Sequence, residues 1–547
     1  MRMSFSLVRK LIPGLLGIAF LASCSSTPAH LKTISPDSPV VVSVDLTSLA
    51  WKGDLQNLPK TKLYRQMKEQ MESGDPKRSE QLKKYSKDPF AAGIDFLENT
   101  YFFVHMEPRE DNQEYKDTYL CFAAELSNSE KFAGMITEMF GSDKIETKEA
   151  FQSVAIDEDV MIGWTNEAAV LVSSERYDPS LGIAKVMEKA LTRTEEQSVL
   201  ANANFKSFLK KDHDLSAWVS TTGLKDEFER SLEKTEEELT AEQLADNYLH
   251  AYLDFEDGAI KMGMDGFLNQ ALPEKYRNRN GRVPEESLID FVPGGDETYA
   301  LMTVGWDMKA SAQVMRERFG EDGERFLQRV GMSFDDLFES LTGDMVVAVP
   351  GFEELESVSK DYDYETGEFI DRVEKKVQPQ VICILGTGSD QLTAKAIKYL
   401  QEDPQMGNAA TVTQEGGKYK ITSSGPVIYL VQKEKALIIT NSPTLADAAE
   451  NGGFSGSEAL AGSLRDNATN QSFSGYFNLN YDNYSMEGVQ SILGQFMSTM
   501  LAGKRDLLVY EGLYITGNED HLDAELRFHQ KDENSLVVMI NMLDGAI

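Results

Sequence analysis

Tyr119–Phe140 reads YLCFAAELSNSEKFAGMITEMF, and Val381–Glu402 reads VICILGTGSDQLTAKAIKYLQE, 262 residues further on. Each is a short apolar strand, a polar turn and an amphipathic helix. Phe132, Met135, Ile136 and Phe140 recur at helical spacing in the first. Leu392, Ala396, Ile397 and Leu400 do so in the second. VVSVD (Val41–Asp45) matches TVGWD (Thr303–Asp307) at the same offset. FQSVAID, VMIGWT and AAVLVSS follow the first helix, as KYKITSS, VIYLV and ALIITNS follow the second. These short strands with tight polar turns predict antiparallel meanders. LSAWVSTTG (Leu215–Gly223) matches FSGYFNLNY (Phe473–Tyr481), placing Trp218 opposite Tyr476. A long helix is predicted after each. The hairpin YLDFEDGAIKMGMDGF (Tyr252–Phe267) then matches LYITGNEDHLDAELRF (Leu513–Phe528).

Helices do not alternate one for one with strands, so a doubly wound parallel sheet does not fit. The pattern predicts an α+β fold of two homologous repeats, each an antiparallel-rich sheet backed by helices. The repeats are expected over 36–285 and 286–547. The joint falls in PEKYRNRNGRVPEESL, Pro273–Leu288, which is charged and poor in apolar residues.

The turn LGTGSD invites comparison with a phosphate-cradling loop. Gly386 and Gly388 fit the first two positions, but Gln391 stands where the third glycine belongs. The matching turn, Ala124–Ser127, carries Glu125, which would repel phosphate. The glycines are read as conformational.

The 547 residues carry 54 Lys and Arg against 89 Asp and Glu, a net charge of −35. Such a surface lacks the cations that nucleic-acid phosphates require, so no nucleic-acid partner is expected. Three cysteines, Cys24, Cys121 and Cys383, exclude a disulfide scaffold and a four-cysteine zinc site. Cys121 and Cys383 match between the repeats and read as buried thiols, with pairing left open. Histidines are few, and neither a zincin helix nor a nucleophile elbow is present, so no catalytic residue, cofactor or metal ligand is assigned. DYDYETGEFIDR (Asp361–Arg372) alternates carboxylates like a calcium loop. Its glycine falls at position 7 and Arg372 takes the place of the closing Glu, so it reads instead as a hairpin turning at Glu365-Thr366-Gly367. LKDEFERSLEKTEEELTAEQLAD (Leu224–Asp246) reads as a solvated helix.

The N-terminus is the most specific signal. Arg2, Arg9 and Lys10 precede the apolar run Leu11–Phe20, and Leu21-Ala22-Ser23-Cys24 matches a bacterial lipobox. Residues 1–23 read as a lipoprotein signal peptide, Cys24 as the lipidation site and 24–35 as a lipidated tether. The acyl chains, palmitate among them, anchor stably only when more than one is attached. Ser25 is not the aspartate that retains lipoproteins at the inner membrane, and no acidic run follows. The expected address is therefore the outer membrane, lipid-anchored and facing the periplasm rather than exposed at the surface. Met486–Gly503 is the most apolar remaining helix, but Glu487, Gln490 and Gln495 make it a core-facing stripe rather than a membrane span.

The lipobox and the stretch ISPDSPVVVSVDLTSLAWKGDL (Ile34–Leu55) resemble a family of Bacteroidota lipoproteins classed as a domain of unknown function, number 4836. The shared pattern comprises Pro36, Asp37-Ser38, Val40–Asp45, Ser48-Leu49 and Lys52. The resemblance implies an envelope lipoprotein over nearly the whole mature chain, and brings no activity, cofactor or site residue. Two function classes follow. The leading one is a non-enzymatic binding or scaffold protein with an envelope protein partner. The alternative is an envelope hydrolase or glycan-binding protein using carboxylates with Trp164, Trp218, Trp306 or Tyr476.

Overall fold

A computed structural model of the chain describes residues 28–54, 57–72, 80–81, 84–85, 88–108, 116–174, 182–232, 239–273, 277, 281–294, 298–402, 410–423, 425–480, 509–518 and 520–546. Cys24 and Met486–Gly503 lie outside them. The chain divides into two units, Met1–Glu237 with Ala245–His250, and Glu238–Leu244 with Ala251–Ile547.

The first unit contains β1 (Val40–Val44), β2 (Thr100–Pro108), β3 (Lys116–Glu125), β4 (Ile145–Thr147), β5 (Gln152–Asp157), β6 (Val160–Trp164), β7 (Ala168–Ser174) and β8 (Leu215–Ser220). Their hydrogen-bonding order is β4-β5-β6-β7-β3-β2-β1-β8, antiparallel at every step. Helix α1 (Leu46–Lys52) follows β1, α2 (Ser129–Phe140) follows β3 and α3 (Ile183–Leu191) follows β7. Alternation along the strands sends one face into the core. Val41, Phe103, Cys121 and Val172 lie across four neighbouring strands and are all buried with Trp218. Asn128 caps α2 by accepting from the Lys131 amide, which points Phe132 and Ile136 at a second cluster around Trp164.

The second unit repeats the order. β11 (Ala300–Gly305), β12 (Leu341–Asp363), β13 (Glu368–Thr387), β14 (Ala410–Glu415), β15 (Lys418–Ser423), β17 (Ile428–Gln432), β18 (Ala436–Thr440) and β19 (Phe473–Asn478) pair as β14-β15-β17-β18-β13-β12-β11-β19. A two-residue strand, β16 (Gly425–Pro426), adds to β12. The predicted mixture of helices and antiparallel sheet is thus the observed fold, and the strands of each unit follow one pairing order.

Three details differ from the sequence reading. The hairpin of β9 (Tyr248–Glu256) and β10 (Ala259–Phe267), read with the first repeat, lies in the second unit from Ala251 onward. There β10 pairs with β21 (His521–Phe528), itself paired with β20 (Tyr510–Gly517), and so covers an edge that would otherwise stand open. Residues 29–34, read as part of a tether over 24–35, are structured: Ala29–Thr33 form a 3-10 turn, and His30, Leu31 and Ile34 are buried. The Asp361–Arg372 hairpin turns where predicted, but its arms run 23 and 20 residues, far past the ordinary strand length of about six. Of the charged stretch 224–246, Lys225–Leu232 and Ala241–Leu244 are helical.

Candidate functional site

Helix α4 (Met308–Arg329, broken at Gly320) and helix α5 (Phe334–Ser340) stand over the start of β12 and the end of β13 in the second unit. They enclose an apolar pocket of about 430 Å³, within the size range of small-molecule sites. Trp306, Met308, Met315, Leu337, Phe338 and Leu385 supply most of its wall. Trp306 and Met315 remain partly exposed at the pocket, so apolar surface faces solvent there.

The local chain geometry explains how the pocket is held open. The Trp306 amide donates to the Gly343 carbonyl at 2.9 Å, locking the end of β11 to the start of β12. Gly343 has φ +96°, and a Cβ there would lie 2.2 Å from the Trp306 carbonyl oxygen. Ser333 caps α5 in a reciprocal pair with Asp336, which fixes the entry of the helix carrying Leu337 and Phe338.

Two polar side chains, Ser311 and Asp344, interrupt the apolar wall. Asp344 is buried, and its Oδ2 accepts from Arg282 Nη2 at 3.0 Å and from Thr342 Oγ1 at 2.7 Å. Its Oδ1 is buried with no hydrogen-bond partner among the described residues. A buried acceptor without a partner costs about 1–3 kcal/mol, so the fold carries an unsatisfied carboxylate oxygen beside the pocket. Gly386, the first glycine of the LGTGSD turn, is explained here. It lies inside β13, and a Cβ would meet Thr342 Oγ1 at 2.1 Å and the Asp344 Cβ at 3.0 Å. Its role is close packing against this cluster rather than an unusual backbone conformation.

A second cluster lies on the β9-β10-β21 face. His521 places Nδ1 2.7 Å from Asp265 Oδ1 and Nε2 2.8 Å from Asp523 Oδ2. The Tyr252 hydroxyl donates to the other oxygen of Asp523 at 2.8 Å. Partial burial pulls the His521 pKa down, but the two carboxylates outweigh it and hold the imidazolium above its ordinary 6.5. The folded state therefore gains from His521 fully below about pH 6.5, and loses that gain as pH rises through the elevated value. In urea melts at about pH 5.5 and 8.5, the native chain should lose more stability on going alkaline than His521→Asn. Equal losses would show that the ion pairs contribute nothing.

The other residues singled out in the sequence separate. Cys121 and Cys383 are free thiols. Burial pushes Cys121 up to about 12 and raises Cys383 as well, so neither is a ready nucleophile. Trp218 and Trp164 are buried, and Tyr476 packs against the second core. Trp306 alone of the four aromatics lines the apolar pocket. Trp164 does border a polar recess of about 570 Å³ with Glu130, Lys148, Glu149 and Glu167, but its ring packs on Phe132 at 5.7 Å and offers no sugar platform. In the turn that alternates carboxylates, Asp363 accepts from the Glu365 amide and the Thr366 hydroxyl, and Asp361 pairs with Arg372 at 3.2 Å. Among the described residues no group of three or more His, Cys, Asp and Glu is placed to hold a metal ion. Sequence reasoning missed Asp344 and the structural part played by Glu125. Glu125 accepts the His30 amide at 3.0 Å and faces its ring Nδ1 at 2.7 Å. Burial raises its pKa, but the His30 bonds outweigh that and lower it.

The model of the family described as Domain of unknown function (DUF4836) matches residues 31–536. No curated protein matches the chain in sequence. Two crystal forms of TP0453 are similar in structure. Form IV is 10% identical over 44% of this chain and 81% of its own, with a TM-score of 0.24. Form I is 8% identical over 46% and 82%, also at 0.24. Likeness at that level carries no argument.

Proposed function

We propose that this chain, which belongs to the DUF4836 family, is a non-enzymatic binding lipoprotein of the bacterial envelope, anchored through Cys24 in the outer membrane and facing the periplasm. The observation that carries the binding function is the pocket beneath α4 and α5. Its wall is apolar apart from Ser311 and Asp344, so the occupant is a largely apolar small molecule or acyl chain. Filling the pocket tests this. Purified protein should bind 1-aminoanthracene saturably, and Leu337→Trp should weaken that binding about tenfold, or about 1.4 kcal/mol, with an unchanged melting temperature. Saturable binding that Leu337→Trp leaves intact would remove the pocket from the function.

A protein partner is a second reading, favoured by the end of the long hairpin. Tyr364 and Phe369 are exposed there beside Tyr362, with ring centroids 5.2 Å apart in both pairs with Tyr362. Exposed aromatic clusters of this kind mark association surfaces. Cross-linking in native outer membranes followed by mass spectrometry should recover one near-stoichiometric partner joined through Lys360 or Lys375, on the two hairpin arms. Recovery of the chain alone would count against the scaffold reading.

A further inference from the structure

The first unit begins close behind the lipidation site. Pro28 is the first described residue, and His30 is already fully buried. It is held by Glu125 and by the Asn99 carbonyl, to which its Nε2–H donates at 2.9 Å. From Cys24 to Pro28 the chain can reach at most about 14 Å. The headgroup layer is itself roughly 5–8 Å deep, so the surface around His30 is confined to the lipid headgroups or just above them.

That surface carries exposed apolar groups. Asn99 closes a loop whose Leu97 is 73% exposed and whose Phe90 is 59% exposed. Phe90 and Phe96 meet edge to face at 6.0 Å. Helix α1 joins them: the Thr47 hydroxyl donates to the Phe96 carbonyl at 2.5 Å. Trp51, one turn along the same helix face, is 83% exposed. The loop is built rigidly. The Asp95 amide donates to the Glu125 carbonyl at 2.9 Å and the Asn128 amide to the Gly93 carbonyl at 3.1 Å. Gly93 has φ +74°, and a Cβ there would lie 2.2 Å from the Asn128 carbonyl oxygen. Helix α1 is held in turn by Lys52, whose Nζ lies 2.8 Å from buried Asp214.

We infer that Trp51, Phe90 and Leu97 form a membrane-docking tip that enters the lipid interface beside the anchor. The inference rests on lipidation at Cys24. So short a tether keeps this end of the unit close to the lipid, and tryptophan beside aliphatic and phenyl groups is the composition that partitions into that layer. Asp95 and Glu98 flank Leu97, so the favoured surface is zwitterionic rather than anionic. Docking at the tip would set the orientation of the whole first unit on the membrane.

The test uses protein extracted from native membranes and reconstituted in phosphatidylcholine vesicles with brominated acyl chains. Trp164 and Trp218 are buried, so bromine reaches chiefly Trp51 and Trp306. Quenching of tryptophan emission is expected, with loss of the quenching in Trp51→Phe and its retention in Trp306→Phe. Protein that carries lipid on Cys24 by mass spectrometry yet keeps Trp51 unquenched would overturn the docking tip and leave the anchor standing. Protein without lipid on Cys24 would overturn both.

Discussion

Replacing Trp218 by alanine is expected to destabilise the first unit by about 3–5 kcal/mol. The ring is 1% exposed. It stacks on Tyr248 at 4.9 Å, with 21° between planes, and meets Phe205 edge to face at 5.6 Å. Val41 lies opposite it on β1, so the cavity would open where β1 and β8 pair. Units of this size are stable by about 5–15 kcal/mol, so the loss removes a large share. Hydrogen exchange read by mass spectrometry separates the units. Peptides covering β1 and β8 should lose protection, while those covering β11 and β12 keep it. Uniform loss across both would show that the units unfold as one. Tyr476, the matching residue, is only partly buried, and Tyr476→Ala should cost less.

Replacing Cys24 by alanine should move the protein from the membrane pellet to the soluble fraction almost completely. Each acyl methylene buried in the bilayer contributes about 0.8 kcal/mol, so two or three full chains far outweigh the exposed aromatic groups among the described residues. With Cys24→Ala, small side chains stand on both sides of Ser23, the pattern of ordinary signal-peptide cleavage, so the leader should still be removed. Continued pelleting of the cleaved chain would refute the anchor. Persistence of a weak, Trp51-dependent association with vesicles is compatible with the docking tip, because one or two interfacial aromatic residues hold a protein only marginally.

Much of the fold could be read from periodicity. The strand-turn-helix unit at Tyr119–Phe140 and Val381–Glu402 appears where its apolar spacing places it, as do the meander after each and the hairpin turn at Glu365-Thr366-Gly367. These are local statements: alternation and helical spacing depend only on neighbours a few residues away. Trp218, offered in the sequence among the aromatics of a glycan site, is instead buried in the first core.

The site was not legible in that way. Asp344 looks like any of the many carboxylates in an acidic chain. It matters because β11 sets it across from Gly305, Arg282 reaches one of its oxygens, and two helices cover the wall beside it. Gly386 suggested a backbone role, yet its lack of a side chain serves a contact with Thr342, 44 residues away along the chain. The docking tip is assembled from α1, the loop ending at Asn99 and the turn after β3, joined through His30 and Glu125. Element types, antiparallel pairing and the doubled order of strands are written in short-range pattern, and the chain's own letters were enough for them. Folding in three dimensions was needed to fix which edge the β9-β10 hairpin covers, where a pocket stays open, and which exposed apolar residues stand near His30. Those outcomes depend on contacts between residues tens to hundreds of positions apart, and no local periodicity encodes such pairings.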